Sequence, residues 1–133
     1  MRRFGLASRT GANFGPGRND ALAGKPDFKT IYAGYKSAVD WPTAAFWQEL
    51  AGVYPDAKII LSTRSPESWY KSISETILAA VWAPDKWPAP AVEWFRMASK
   101  VIARSLGDAQ DKDAIIAAFT AHEAAVKATI PAN

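Results

Sequence analysis

KIILSTRSPESWYKS, residues 58–72, changes character at its seventh position. Ile59, Ile60 and Leu61 form an unbroken apolar run, the pattern of a strand buried on both faces of a parallel sheet. Arg64 ends that run, and Ser65, Pro66 and Glu67 open a helix: a serine suits the N-cap, a proline the first helical position, and an acid the first turn. A cation placed at the end of a strand, directly ahead of a helix N-terminus, can grip an anion. The N–H groups there are unpaired and the helix end carries partial positive charge. Arg64 would add two parallel donors to a phosphate. On the residues alone, the plainer reading is a surface or ion-pairing arginine in an ordinary turn, with Ser65, Ser68 and Ser72 as a solvated hydroxyl stripe.

Working outward, the helix opened by Ser65 is expected to run to about residue 82, with Trp69, Ile73 and Ile77 on one stripe. Upstream, Ala44, Trp47, Leu50 and Ala51 mark a helix over residues 43–54, closed by Tyr-Pro-Asp. SAVDWP, ahead of it, reads as a short strand over residues 37–41 that Pro42 ends. Phe28, Ile31 and Tyr35 predict a short helix. Downstream, APDKWPAP is a loop. A helix follows over residues 91–106, with Phe95, Ala98, Ile102 and Leu106 facing in and Glu93, Arg96, Lys100 and Arg104 facing out. Gly107 suits its end. Asp111 caps a last helix carrying Ile115, Phe119, His122 and Val126 on one stripe. Residues 1–25 hold five glycines and four arginines and include Gly-Pro-Gly, so they read as a loop or disordered arm ahead of a domain over residues 26–133.

The expected architecture is therefore an incomplete α/β domain, mostly helical, with one parallel-type strand at 58–63 and a weaker one at 37–41. Two strands do not make a stable sheet. The chain reads as the middle of a larger α/β domain, and its uncovered strand edge would favour a homo-oligomer.

Hydrophobic residues make up 49% and charged residues 22% of the 133, which is the balance of a folded protein. No apolar run reaches the roughly 18 residues of a membrane span, and the basic N-terminus lacks the apolar core of a secretory signal. A cytoplasmic protein with no membrane partner is expected. Residues 1–36 carry seven Lys/Arg against two acids, and residues 37–133 carry nine against eleven. The basic excess thus sits in the arm, not in a stripe on the folded body, which argues against a nucleic-acid partner. Without cysteine, and with His122 as the single histidine, no metal site is expected.

The same segment resembles the 3′-phosphate-binding stretch of the P-loop sulfotransferases: a buried strand, then an arginine, a proline two positions on and a serine eight positions on. Here these are Arg64, Pro66 and Ser72. The resemblance extends through DFKTIYAGYKSAVDWPTAAFWQELAGVYPDAKIIL (residues 27–61) and FTAHEAAVKATIP (residues 119–131) to a branch of small, mostly bacterial sulfotransferase-like proteins. It implies a P-loop-like sulfotransferase fold. It further implies transfer of a sulfuryl group from 3′-phosphoadenosine 5′-phosphosulfate to a hydroxyl or amine of a small-molecule acceptor, without a metal. Arg64 and Ser72 would hold the donor's 3′-phosphate. The family's Gly-rich loop for the phosphosulfate has one counterpart here, GLASRTG at residues 5–11, whose RTG echoes the branch although neither a strand nor a helix frames it. The expectation is a chain that keeps the 3′-phosphate half of a donor site and is itself of doubtful activity. The alternative is a non-enzymatic remnant acting as a nucleotide-phosphate-binding or self-associating module.

Asp40, at the end of the second strand, is either a general base for the acceptor or a turn residue capping the next helix. His122 reads as a satisfied, partly buried histidine before it reads as a catalytic one. Trp82, Trp87 and Trp94 surround the APDKWPAP loop and either flank an acceptor pocket or belong to an exposed core.

Overall fold

The computed structural model describes residues 26–83, 86–108 and 110–130. The expected arm over residues 1–25, including the 5–11 loop, lies outside the described residues. The chain divides into two compact units, Met1–Ala57 and Lys58–Asn133.

In the first unit, α1 (Phe28–Ile31) is a single turn capped by Asp27. The Asp27 carboxylate accepts the Thr30 backbone N–H at 3.2 Å and the Thr30 hydroxyl at 2.6 Å. The hydroxyl bond is the main reason its carboxyl titrates below the ordinary aspartate value, with the backbone bond second. A depressed folded-state pKa means the cap contributes stability above the unfolded-state pKa and loses it as pH falls through the folded value. An NMR titration of the Asp27 carboxyl should give a midpoint below the usual one, and Thr30→Ala should move it back up.

A 3-10 turn (Thr43–Phe46) leads into α2 (Trp47–Val53). Phe28 and Phe46 are buried against each other edge-on, with centroids 5.7 Å apart. Two tyrosines close this small core. The Tyr54 hydroxyl donates to the Phe28 carbonyl at 3.1 Å, and the Tyr32 hydroxyl shares a 2.8 Å hydrogen bond with Thr43 Oγ1. Burial pushes the Tyr32 phenol above its ordinary pKa, against the opposing effect of that bond. The apolar spacing of residues 28, 31 and 35 overstates α1, because Tyr35 lies beyond it and is exposed.

The second unit is built from helices packed on helices. Ser65 caps α3 (Pro66–Ile73), which runs directly into a π-helical turn (Ser74–Leu78) and a short end, α4 (Ala79–Val81). After residues 84–85 the chain enters α5 (Ala89–Leu106), closed by Gly107 at φ 74° with its N–H donating to Ala103 at 2.8 Å. The positive φ suits glycine, which has no Cβ to clash. Asp111 then caps α6 (Lys112–Thr129), accepting the Ala114 N–H at 2.9 Å. Helix α3 packs on α6, α4 on α5, and α5 on α6. Ile73, Leu78, Val81, Phe95, Val101, Ile102, Leu106, Ile115, Phe119 and Val126 are buried between them. Trp69 lies flat on Phe119, with ring centroids 4.3 Å apart and planes 17° from parallel. His122 is half-buried on the inward side of α6.

Two expectations fail. Among the described residues there is no strand, at 58–63 or at 37–41, and hence no sheet. A strand exists only through hydrogen bonds to a neighbour. Residues 58–63 make no backbone hydrogen bond among the described residues, and Ile60 is 92% exposed. Residues 37–41 cannot continue extended, because Asp40 turns the backbone into the left-handed region at φ 70°. The α/β reading with an uncovered strand edge is thus replaced by helix-on-helix packing. Since Ile60 has little burial to lose, Ile60→Ala should change unfolding free energy by less than about 0.5 kcal/mol in urea denaturation. A sheet-buried isoleucine would lose about 2–5 kcal/mol.

The second failure is one of register. The stripe Trp69–Ile73–Ile77 holds as far as Ile73, and then Ile77 emerges 41% exposed while Leu78 is fully buried. A π turn closes i to i+5, so the residue stacked on Ile73 is five positions on, not four. Val81 follows Leu78 into the core.

Candidate functional site

Arg64 is the last residue before the cap of α3. The cap holds the entry of the chain: Ser65 Oγ accepts the Ser68 backbone N–H at 3.3 Å, and the Ser65 carbonyl accepts the Trp69 N–H at 2.9 Å. With Ser65 extended at φ −60°, ψ 140° and Pro66 in the first turn, Arg64 is delivered beside the helix N-terminus. Its guanidinium folds along the first turn, Nη2 donating to Ser68 Oγ at 2.6 Å. The remaining donors of this planar group stay in an exposed setting.

Ser72 lies on the same face, one turn beyond Ser68, about 6 Å farther along the axis. It is exposed, and its hydroxyl makes no hydrogen bond among the described residues; its carbonyl accepts the Thr76 hydroxyl at 2.7 Å. Ser72 thus sits two residues ahead of the π turn. Arg64, Ser65, Ser68 and Ser72 make a strip that starts at the positive end of α3 and is chemically suited to an anion lying along the helix. Glu67 in the same first turn adds a negative charge there. It complements the helix dipole and opposes a bound anion. The arginine–hydroxyl contact itself runs to Ser68, whose side chain the sequence did not single out from the stripe.

Asp40 belongs to the first unit. Its Oδ1 accepts the Trp41 N–H at 2.7 Å, and its carbonyl accepts the Ala44 N–H at 3.0 Å. Both bonds are those of a turn residue at the entry to the 43–46 turn. Oδ2 has no hydrogen bond among the described residues. Around the APDKWPAP loop, Trp87 stacks on Phe95 at 4.3 Å, Trp94 meets the Phe95 edge at 4.9 Å, and Trp87 Nε1 donates to the Ala80 carbonyl at 2.9 Å. The two tryptophans cover Phe95, which is buried, and are themselves about four-tenths exposed. They read as the edge of the helical core. Among the described residues no group of three or more metal-ligating side chains gathers, and no helix is long and apolar enough to cross a membrane.

A protein of Aspergillus versicolor, "Ava biosynthesis cluster protein M", is 42% identical over 62 residues. That similarity covers 44% of this chain and 24% of the relative, so the chain spans about a quarter of the length of the protein it matches. The family model of the sulfotransferase domain matches residues 8–133, which includes α3, its cap and every element described above. The chain belongs to the sulfotransferase domain family.

Proposed function

We propose that the Arg64 strip binds the 3′-phosphate of 3′-phosphoadenosine 5′-phosphosulfate, and that the chain takes part in transferring the sulfuryl group to a small-molecule hydroxyl or amine. One observation carries this reading: within a sulfotransferase domain, an exposed arginine is held against the first turn of a capped helix with an exposed serine hydroxyl one turn on. Charge-assisted hydrogen bonds from guanidinium and hydroxyl suit a phosphate dianion. In the reaction the bond between sulfur and the bridging phosphate oxygen breaks, the acceptor oxygen or nitrogen bonds to sulfur, and the acceptor gives up its proton. Asp40, whose Oδ2 makes no hydrogen bond among the described residues, is the candidate base for that proton. The similarity to a biosynthesis-cluster protein supports a small-molecule acceptor. Gripping the 3′-phosphate and accepting a proton require no metal.

Calorimetric titration of the purified chain tests the donor site directly. Binding of 3′-phosphoadenosine 5′-phosphate should be tighter than binding of adenosine 5′-phosphate, because only the former carries the group that the strip is suited to hold. Equal affinity for the two nucleotides would sink the reading.

A further inference from the structure

Ser72 is the serine that the family resemblance pairs with Arg64, yet the arginine's hydrogen bond runs to Ser68. We infer that Ser68 is a positioning residue of this site, holding the Arg64 guanidinium in place before the anion arrives. The inference rests on the 3′-phosphate reading above and deepens it.

The bond is short, 2.6 Å from Nη2 to Oγ, and it joins a residue outside the helix to one inside its first turn. An exposed arginine otherwise samples many rotamers, and ordering it on binding costs free energy. Tying the guanidinium to the helix removes part of that cost before the ligand binds. The contact has a second consequence. Because Ser68 Oγ accepts from Arg64, the hydroxyl proton is free to point elsewhere, and it has no acceptor among the described residues. It becomes a donor for an anion that Arg64 also touches. Ser68 therefore stands between Arg64 and Ser72 both in position and in function: it orients the first and fills the gap to the second.

Capping chemistry does not account for this side chain. The cap uses the Ser68 backbone N–H, which donates to Ser65 Oγ, and leaves the Ser68 hydroxyl out. Ser68→Ala keeps that N–H and places a better helix former in the first turn. It removes only the hydroxyl, with its contact to Arg64 and the donor it offers the anion.

The test is titration calorimetry of the intact chain and of Ser68→Ala, Ser68→Thr, Arg64→Ala and the Arg64/Ser68 double alanine variant. Each is titrated with 3′-phosphoadenosine 5′-phosphate and with adenosine 5′-phosphate. Ser68→Ala should weaken the 3′-phosphorylated nucleotide about three- to tenfold, the worth of one hydrogen bond. Affinity for adenosine 5′-phosphate should not move and the urea unfolding midpoint should not fall, which a merely structural role would not predict. Ser68→Thr should restore most of the loss, and alanine at 68 should cost less once Arg64 is gone than it does in the parent. If Arg64→Ala weakens binding and Ser68→Ala does not, the positioning role is wrong while the donor site stands. Should neither substitution change the preference for the 3′-phosphate, both this inference and the donor-site reading fall.

Discussion

Leu78→Ala lowers the stability of the second unit by about 3–5 kcal/mol, while Ile77→Ala next to it costs less than about 1 kcal/mol. The side chain of Leu78 is fully buried where α4 and the π turn meet the other helices, and that of Ile77 is 41% exposed. Removing the leucine forfeits the transfer free energy of its methyl and methylene groups and leaves a cavity that packed helices close only in part. Against a total stability of about 5–15 kcal/mol for a domain, such a loss leaves the unit close to unfolding at room temperature. Urea titrations followed by tryptophan fluorescence measure both variants, since Trp69 stacks on Phe119 within the same unit. The contrast between adjacent residues is the informative quantity. If residues 74–78 were regular α-helix, Ile77 would sit in the core with Ile73 and the order of the two losses would reverse.

Arg64→Ala is expected to weaken binding of 3′-phosphoadenosine 5′-phosphate about 10- to 100-fold, and to leave the unfolding midpoint within error of the parent. The size follows from losing hydrogen bonds to a charged group, worth about 1.5–3 kcal/mol. Stability should hold because Arg64 is exposed and the α3 cap is made by Ser65, not by Arg64. Arg64→Lys keeps the charge but loses the planar fork, so it should recover only part of the affinity. Raising ionic strength should weaken the parent more than the alanine variant, since an exposed charge pair is screened. Should Arg64→Ala bind both nucleotides as the parent does, Arg64 is a turn residue and the donor reading fails with it.

The helix ends were legible because they are local. Ser65 and Asp111 cap α3 and α6 as read, and Gly107 closes α5, each through bonds spanning three or four residues. Phe95, Ile102 and Leu106 on α5, and Ile115, Phe119 and Val126 on α6, are buried as their spacing predicted. The sulfotransferase resemblance, drawn from the residues around Arg64 together with residues 27–61 and 119–131, agrees with the family match over residues 8–133. Less could be read of the site itself. Ser65, Ser68 and Ser72 share a face in any regular helix, and nothing in their spacing says which of them meets the guanidinium. Phe46, buried at the centre of the first unit, also escaped the reading because it falls in a 3-10 turn, off the period of an α-helix.

The wrong expectations share a cause. An apolar run such as Ile59–Ile60–Leu61 states a preference for extended backbone but not a partner, and a strand needs hydrogen bonds from residues elsewhere in the chain. The switch from Ile77 to Leu78 likewise cannot be heard in a sequence that offers apolar residues at both positions. There the π turn puts Leu78, not Ile77, in the core. Sequence by itself determined the caps of α3 and α6, the end of α5, which faces of α5 and α6 turn inward, and the family. The tertiary structure decided which apolar residues are buried, which serine takes Arg64, and that among the described residues helices pack on helices without a sheet. Caps and periodicity are settled among near neighbours, whereas burial and pairing depend on what distant residues bring to the same place.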